Sequence, residues 1–278
     1  MNAFRRLITA AGSQPPIGTW VMSASPLVAE ALGHAGFDWG LIDMEHSPID
    51  LGQVVHLLQA VGNTKMVPVV RVPWNDAVTV KRVLDAGATT VMFPFVQDAD
   101  EARRAVAATR YPPEGVRGMA GMSRASRYGT IPDYASAANR DMGVIVQLES
   151  PAALDRLDAI ADVPGVDAMF IGPSDLAAGM GHVGQPTHPA VMERMTRAAR
   201  RCAERGTPLG TVADTVQVAA QYRAAGFSYV ALGADLGLLM HGARLGLHAL
   251  RGAAEGEGAD PLVHTLAEGT VVRKKGTA

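Results

Sequence analysis

Two carboxylates stand just past the ends of consecutive apolar runs in the middle of this 278-residue chain. Glu149 follows the β-branched run at 144–148, and Asp175 follows the run at 167–171 after a Gly-Pro-Ser turn. Because two strands joined through one helix are parallel, both carboxylates are expected at the same edge of a sheet. Such a pair, without a nearby His or Cys, suits Mg²⁺ or Mn²⁺ completed by water and substrate oxygens. Helix capping or salt bridging is the alternative use of these acids.

Two other strand ends carry side chains that suit a reaction with an anionic intermediate. Asp43 and His46 follow the second strand-like run, and Arg71 ends the third. His46 is predicted to be a general base, with Asp43 in support, although an ordinary loop histidine fits the same position. Arg71 is predicted to stabilise a substrate oxyanion, and a purely structural ion pair with Glu45 is the alternative.

Backbone groups before Asp175 add a possible binding element. Gly172 allows a ligand to approach the main chain, and the amides of Ser174 and Asp175 open a predicted helical turn that can hold a carboxylate. An ordinary turn before a helix explains this stretch equally well. Gln147, at the end of its strand, and Trp20, at the end of the first, complete the predicted substrate site.

The elements that must position these residues alternate between strands and helices. This alternation predicts an α/β fold, a single-domain (β/α)8 TIM barrel over residues 17–250. A helix within 1–16 precedes it, and a Gly- and charge-rich tail at 251–278 is predicted to be flexible. A doubly wound open sheet competes, but no Gly-x-Gly-x-x-Gly follows the first strand. The strand-like runs are 17–21, 39–43, 67–72, 89–93, 144–148, 167–171, 208–212 and 228–232.

One connection, residues 111–141, is too polar for the core and too long for an ordinary loop between a strand and a helix, and it is predicted to be a lid or an intersubunit element over the barrel mouth. Substrate selectivity is expected from rim segments at 119–134, 211–214 and 233–238. Within the first of these, Arg124 and Arg127 are the candidates for binding a distal carboxylate.

Composition excludes several classes of function. The formal net charge is −2 and no basic block precedes the extreme C-terminus, so nucleic acid is not an expected partner. The sequence shows no secretory signal and no run near the roughly 20 apolar residues of a membrane span, and its single cysteine, Cys202, fits a reducing compartment. A cytoplasmic protein with no membrane partner is therefore expected.

Two covalent mechanisms lack the residues they need. No lysine stands at a strand end, so a Schiff base has no candidate. Gly-x-Ser-x-Gly is absent, and Cys202 falls in a predicted outer helix, which disfavours nucleophilic hydrolysis. The lysines are Lys65, Lys81, Lys274 and Lys275.

Six motifs stand in order along the chain: Gly18-Thr19-Trp20, Asp43-Met44-Glu45-His46, Val69-Val70-Arg71-Val72, Tyr111-Pro112-Pro113-Glu114-Gly115-Val116-Arg117-Gly118, Gln147-Leu148-Glu149-Ser150 and Phe170-Ile171-Gly172-Pro173-Ser174-Asp175-Leu176. Together they resemble the HpcH/HpaI aldolase family, whose members include 4-hydroxy-2-oxoheptanedioate aldolase and 2-dehydro-3-deoxyglucarate aldolase. The resemblance covers about residues 17–250.

This resemblance implies a class II pyruvate aldolase that uses Mg²⁺ or Mn²⁺, with Co²⁺ or Zn²⁺ as alternatives. It also implies a homo-oligomer, a hexamer with exchanged helices or a trimer. Carried over by motif, it assigns the metal to Glu149 and Asp175, contacts with the 2-oxo acid to Gln147 and the Ser174 backbone, the base to His46, and enolate stabilisation to Arg71.

The family also pairs its histidine with an aspartate that matches Asp85. Asp85 ends a helix that runs antiparallel to its strand, so it is expected near the N-terminal end of its own barrel, far from His46. We therefore expect Asp85 to act across a subunit interface.

The implied reaction is reversible retro-aldol cleavage of a 4-hydroxy-2-oxo acid, a dicarboxylate or a sugar acid, to pyruvate and an aldehyde. The sequence does not select one aldehyde. One alternative is a related lyase acting on a coenzyme A thioester or a phosphoenolpyruvate-type substrate, which would want a basic groove or further arginines. The other is a non-catalytic barrel that binds 2-oxo acids without turnover.

Overall fold

A closed barrel of eight parallel strands forms the centre of the computed structural model, which describes residues 1–10 and 14–254. Each strand pairs with its neighbours in chain order, and the last pairs with the first. The predicted α/β TIM barrel is therefore confirmed. Its strands are β1 Ile17–Val21, β2 Trp39–Asp43, β3 Val67–Arg71, β4 Thr90–Phe93, β5 Gly143–Leu148, β6 Ala168–Ile171, β7 Leu209–Ala213 and β8 Tyr229–Ala234.

Helices precede, connect and follow these strands. Most begin at a side-chain cap: Ser25, Asp50, Asp76 and Asp98 each accept a hydrogen bond from a backbone N–H in the first turn. The helices are α1 Ala3–Ala10, α2 Pro26–Ala35, α3 Leu51–Val61, α4 Ala77–Asp85, α5 Ala99–Thr109, α6 Tyr134–Asp141, α7 Pro151–Asp155, α8 Leu157–Ala161, α9 Pro173–Gly179, α10 Pro189–Arg205, α11 Val216–Ala225 and α12 Asp235–Ala254.

The barrel interior is filled by aromatic rings. Trp39, Phe170 and Tyr229 are buried and contact one another edge-on or tilted. Gly18 makes room for the indole, since an added Cβ would lie 2.2 Å from Cε2 of Trp39. α1 closes the N-terminal end of the barrel, where the buried Phe4 meets the Trp39 and Tyr229 rings edge-on.

Strand register brings the predicted site residues side by side. Asp43 pairs with Arg71 across β2 and β3. Leu148 pairs with Ile171 across β5 and β6, so the residues that follow them, Glu149 and Gly172, are also neighbours. The C-terminal end of the barrel, called the mouth below, therefore gathers the polar strand ends as the sequence predicts.

Two details of the predicted elements are wrong. The Ser150-Pro151 start and the helical spacing of the apolar residues up to Ile160 predict one helix after β5. The structure has two short helices there, α7 and α8, separated at Arg156, whose φ of −104° is not helical. Ser150 still caps α7, accepting a hydrogen bond from the Ala153 N–H at 3.1 Å.

The long segment at 111–141 contains a helix, α6, and does not lie over the mouth of its own barrel. It connects the end of α5 to the start of β5, so it lies at the N-terminal end, where Ala125 N–H donates to the Asp85 carbonyl at 3.2 Å. The prediction of a lid over its own mouth is wrong because helices of this fold return the chain to the opposite end. An intersubunit role stays a prediction.

The chain divides into two compact units, one at Met1–Asp235 that holds the whole barrel and one that begins at Leu236 and contains most of α12. The predicted boundaries at 16/17 and 250/251 stay predictions. From residue 255 the predicted flexible tail lies outside the described residues. Among the described helices, none is both long and apolar enough to cross a membrane.

Candidate active site

Arg71 lies at the centre of the mouth, where Asp43 and Trp20 hold its guanidinium. Its Nε and Nη2 donate to the two carboxylate oxygens of Asp43 at 2.9 and 2.8 Å. Its Cζ stands 4.6 Å from the centre of the Trp20 ring, a cation–π contact. Burial opposes the positive charge, but the hydrogen bonds and charge of Asp43, together with the charges of Glu45 and Glu149, outweigh it and raise the pKa of Arg71. Arg71 is therefore a fixed cation, and Trp20 supports it.

Glu45 holds the same guanidinium from another direction. Its Oε2 lies 2.8 Å from Nη1 of Arg71, and its Oε1 lies 3.9 Å from Nε2 of His46. Burial raises the pKa of Glu45, with Arg71 and His46 opposing the rise and Asp43 and Asp175 adding to it. The structural ion pair that the sequence allowed is thus present, within a larger cluster of charges.

His46 stands at the rim of this cluster with its side chain 61% exposed. Asp43 Oδ1 accepts hydrogen bonds from the backbone N–H groups of Glu45 at 3.0 Å and His46 at 3.4 Å. Asp43 therefore shapes the loop that carries the imidazole and also holds Arg71, while the carboxylate nearest the imidazole belongs to Glu45.

Glu149 is buried, and its carboxylate is the most perturbed acid of the mouth. Oε1 accepts a hydrogen bond from the Phe95 backbone N–H at 3.0 Å. Burial raises the pKa of Glu149 to about 8; the Phe95 N–H opposes this, and the nearby carboxylates of Asp175 and Glu45 add to it. A cation that binds beside this buried carboxylate would stabilise its ionised form.

The residues of this pocket fit a hard divalent cation. Glu149, Asp175 and Glu45 lie near one another, and the charge of Arg71 is already paired with Asp43, so an added cation would favour the ionised forms of these acids. An added Cβ at Gly172 would lie 2.5 Å from Oε2 of Glu149, so glycine keeps open the space beside that oxygen. Among the described residues no group of three or more His, Cys, Asp or Glu is arranged to hold a metal alone. Water and substrate would therefore complete the coordination.

Gln147 and Ser174 complete the pocket on the β5 and β6 side. Gln147 is buried, and its Oε1 lies 3.5 Å from Nη1 of Arg71. Ser174 is exposed in the first turn of α9, where backbone N–H groups have no partner within the helix. The mouth thus brings together nine of the ten predicted site residues.

Residues 16–242 match the HpcH/HpaI aldolase/citrate lyase family. The chain belongs to this family.

Two relatives of this chain have named activities. The chain is 48% identical over 237 residues to a 2-dehydro-3,6-dideoxy-6-sulfogluconate aldolase of Pseudomonas putida, a match that spans 85% of this chain and 93% of the relative. It is 44% identical over 241 residues to a 5-keto-4-deoxy-D-glucarate aldolase of Salmonella arizonae, spanning 87% and 93%. The chain is therefore a pyruvate aldolase, a carbon–carbon lyase, and the alternative of a non-catalytic barrel is set aside. A crystal structure of a family protein from Burkholderia cenocepacia, 42% identical, superposes with a TM-score of 0.86 over 90% of this chain and 100% of that one.

The tenth predicted residue, Asp85, lies at the other end of the aldolase barrel. It ends α4, and its carboxylate pairs with the fully buried Arg117 at 2.7 Å. Arg117 also stands 4.4 Å above the Tyr111 ring. The predicted separation of Asp85 from His46 within one chain is therefore confirmed.

The prediction that residues 119–134 form part of the rim of the aldolase mouth is wrong. Arg124 donates to the Ala86 carbonyl at 3.0 Å, and Arg127 lines a cavity of about 560 Å³ beside Gly87, before β4. Neither arginine reaches a substrate in its own mouth. The other predicted segments begin at the C-terminal ends of β7 and β8, at Thr211 and Gly233, as expected for a rim.

The sequence interpretation missed two groups in the aldolase mouth. Glu45 was considered only as a partner for Arg71, although its position next to His46 in the Asp-Met-Glu-His motif signals a part in the site. The backbone N–H of Phe95 has no sequence signal at all. Burial raises the pKa of the Cys202 thiol to about 12, consistent with its exclusion as a nucleophile.

Proposed function

We propose that the aldolase cleaves a 4-hydroxy-2-oxo-3-deoxy sugar acid that carries a second acid group at its far end, giving pyruvate and an acidic aldehyde. The observation that carries this is the convergence of Glu149, Asp175 and Arg71 in one mouth. Both named relatives act on deoxy keto acids with a second acid group, a sulfonate in one and a carboxylate in the other. The reaction is reversible.

Glu149 and Asp175 would hold the divalent cation, and their oxygen ligands favour Mg²⁺ or Mn²⁺. When bound, the cation supplies polarisation of the 2-oxo group and stabilises negative charge on that oxygen. Gly172 supports this assignment, because its missing Cβ leaves the Glu149 Oε2 open to a ligand.

Arg71 and Gln147 would receive the 2-oxo group. The 3.5 Å contact between them is the weakest of the contacts around the guanidinium, so a substrate oxygen replaces it at the least cost. The backbone N–H groups of Ser174 and Asp175, in the first turn of α9, would bind the substrate carboxylate. α9 has only seven residues, so the proposal rests on these N–H groups and not on a helix dipole.

His46 would accept the proton of the 4-hydroxyl as the C3–C4 bond breaks. The C4 carbon leaves as the aldehyde carbonyl, and the electron pair of the broken bond stays on C3 as the pyruvate enolate. Arg71 stabilises the oxygen of that enolate, and return of one proton to C3 gives pyruvate. Glu45 lies beside this imidazole, with its Oε1 3.9 Å from Nε2.

Asp85 would complete this site from a neighbouring subunit, because its own mouth lies at the opposite end of the barrel. This role requires a homo-oligomer. The predicted hexameric or trimeric assembly and the cytoplasmic location remain part of the proposal.

The first test is hydrogen exchange into pyruvate in D₂O, followed by NMR with Mn²⁺ or Mg²⁺ and then with EDTA. We expect exchange that depends on metal, is abolished by Glu149→Gln, and is slowed by roughly 10²- to 10³-fold in Arg71→Ala, as for loss of one oxyanion donor. A fully metallated protein that exchanges no proton would contradict enolate formation.

The second test concerns the aldehyde. In the synthetic direction, with pyruvate held constant, aldehydes that end in a carboxylate or a sulfonate should react faster than neutral aldehydes of equal length. Equal rates for charged and neutral aldehydes would remove the distal acid group from the proposal while leaving the aldolase chemistry intact.

A further inference from the structure

Two aromatic rings stack on each other at the edge of the mouth, exposed to solvent. Trp74 follows β3 and Phe95 follows β4, and their ring centres are 6.3 Å apart with planes inclined by 26°. The two residues are 58% and 42% exposed. Large exposed apolar residues are common singly, but a stacked pair beside a catalytic pocket calls for a reason.

Phe95 has a backbone conformation that side chains of its size rarely adopt. Its φ is +52°, in the left-handed region that favours glycine. Such conformations persist only where the surroundings impose them, and they concentrate at functional sites. The cause of the conformation therefore lies in contacts around this turn.

This conformation directs the Phe95 N–H into the pocket, where Glu149 Oε1 accepts it at 3.0 Å. The next residue, Val96, donates its N–H to the Gln147 carbonyl at 3.0 Å, so the turn after β4 is bonded to the end of β5. With the backbone facing inward, the Phe95 ring points outward, where it meets Trp74. Asn75 fixes the Trp74 turn by donating to the Glu101 carbonyl at 3.0 Å.

We propose that Trp74 and Phe95 are positioning residues for the metal site: their stacking keeps Phe95 in the left-handed conformation, and that conformation holds Glu149 ready for a cation. The Phe95 N–H fixes Oε1 and thereby leaves Oε2 facing the space beside Gly172. The inference rests on the proposed function, since it assumes that Glu149 binds metal. Outer hydrogen bonds of this kind commonly set metal affinity.

The test measures metal binding without catalysis. Mn²⁺ is titrated by calorimetry into EDTA-treated, dialysed full-length protein. We expect Trp74→Ala and Phe95→Ala to weaken Mn²⁺ binding about tenfold, the lower end for loss of an outer-shell contact. Trp74→Phe preserves stacking and should bind as the parent protein does.

Phe95→Gly separates the ring from the backbone. Glycine adopts positive φ freely, so this variant keeps the N–H in place without any stacking and should bind Mn²⁺ within about twofold of the parent. Phe95→Ala should be the weaker binder of the two, although alanine is closer in size to phenylalanine.

Circular dichroism and thermal unfolding in EDTA check that each variant is folded, and size-exclusion chromatography checks that assembly is unchanged. If Phe95→Ala does not fold, the Trp74 variants and Phe95→Gly decide the question. Equal Mn²⁺ affinity in the parent and Trp74→Ala would overturn the positioning role while leaving the metal site intact. A parent protein that binds no Mn²⁺ would overturn the metal assignment as well.

Discussion

The mouth holds more acidic side chains than guanidinium groups, and each acid has a different set of contacts. Asp43 is completely buried and uses both oxygens on Arg71, so it is a permanent counter-ion. Glu45 is shared between Arg71 and His46. Glu149 and Asp175 form no salt bridge with a basic side chain of the described residues, although the charge of Arg71 acts on Glu149. The charge balance therefore leaves the last two acids for a cation.

The pH dependence of stability follows from Glu149. In the absence of metal its pKa of about 8 lies above the ordinary value of 4.5, because burial disfavours its charge. Between these values the folded protein holds a proton that the unfolded chain has lost. Folding stability of the metal-free protein should therefore fall as pH rises from about 4.5 to about 8.

Denaturant unfolding in EDTA at about pH 5.5 and about pH 8.5 measures this change. Glu149→Gln keeps the shape and cannot titrate, so its stability should change less between the two values. Mn²⁺ should stabilise the parent most at the higher pH. An identical pH slope in the parent and in Glu149→Gln would contradict the assignment.

Gly172 offers a steric test of the pocket. Its φ of −84° is open to alanine, but the added Cβ would lie 2.5 Å from Glu149 Oε2 and 2.9 Å from Gln147 Nε2. Gly172→Ala should therefore bind Mn²⁺ at least about tenfold more weakly, since the ligand must move. Calorimetry measures this, with Gly121→Ala as control, because an added Cβ there meets no atom within 4 Å. Equal affinity in Gly172→Ala and the parent would show that the space is not used.

At the scale of elements, α1 seals the barrel end opposite the mouth. Phe4 is completely buried against Trp39 and Tyr229. Asn2 fixes the start of the helix, donating to the carbonyls of Thr89 and Asp141 at 2.8 and 2.9 Å. The helix therefore belongs to the barrel core, although its sequence shows only a short amphipathic segment.

Phe4→Ala should lower the free energy of unfolding by about 3–5 kcal/mol, because it leaves a cavity under the barrel rings. Denaturant unfolding measures the loss, and Phe4→Leu, which fills more of the space, should cost less. Metal affinity of the folded variant should be unchanged, since the cavity lies at the far end. A loss below about 1 kcal/mol would mean that α1 is not part of the core.

At the scale of the whole molecule, the length of the barrel separates Asp85 from His46. The segment at 111–141 contacts Asp85 twice, through the ion pair of Arg117 with its carboxylate and through the Ala125 N–H, which donates to its carbonyl. These groups form one surface at the N-terminal end. If Asp85 acts in catalysis, this surface must meet the mouth of another subunit.

Mixing two inactive variants tests this directly. Asp85→Asn and His46→Ala each damage a different contributor to the same intersubunit site, so hybrid oligomers contain some sites with both residues intact. Unfolding and refolding the variants together should recover pyruvate–aldehyde synthesis that neither shows alone. A mixture of the Asp85→Glu and His46→Ala variants, refolded in the same way, is the matched control for refolding yield. No recovery in hybrids of confirmed mixed composition would place Asp85 outside the active site.

Much of the fold followed from local pattern. All eight predicted strands are present within two residues of their predicted ends, because buried parallel strands are continuous apolar runs bounded by turns. The break at Arg156 was missed because its residues keep helical spacing on both sides. The direction of the 111–141 segment was misread because its polarity says that it is exposed but not at which end.

By itself, the sequence determined the barrel and which side chains gather at its mouth, since parallel strands deliver their C-terminal residues to one end whatever their packing. The tertiary structure alone decided which contacts these groups make with one another. Glu45 bridges Arg71 and His46, Asp43 holds Arg71, and the Phe95 N–H binds Glu149. These are contacts between residues distant in sequence, or side-chain rotations within a loop, and the geometry of packing fixes them.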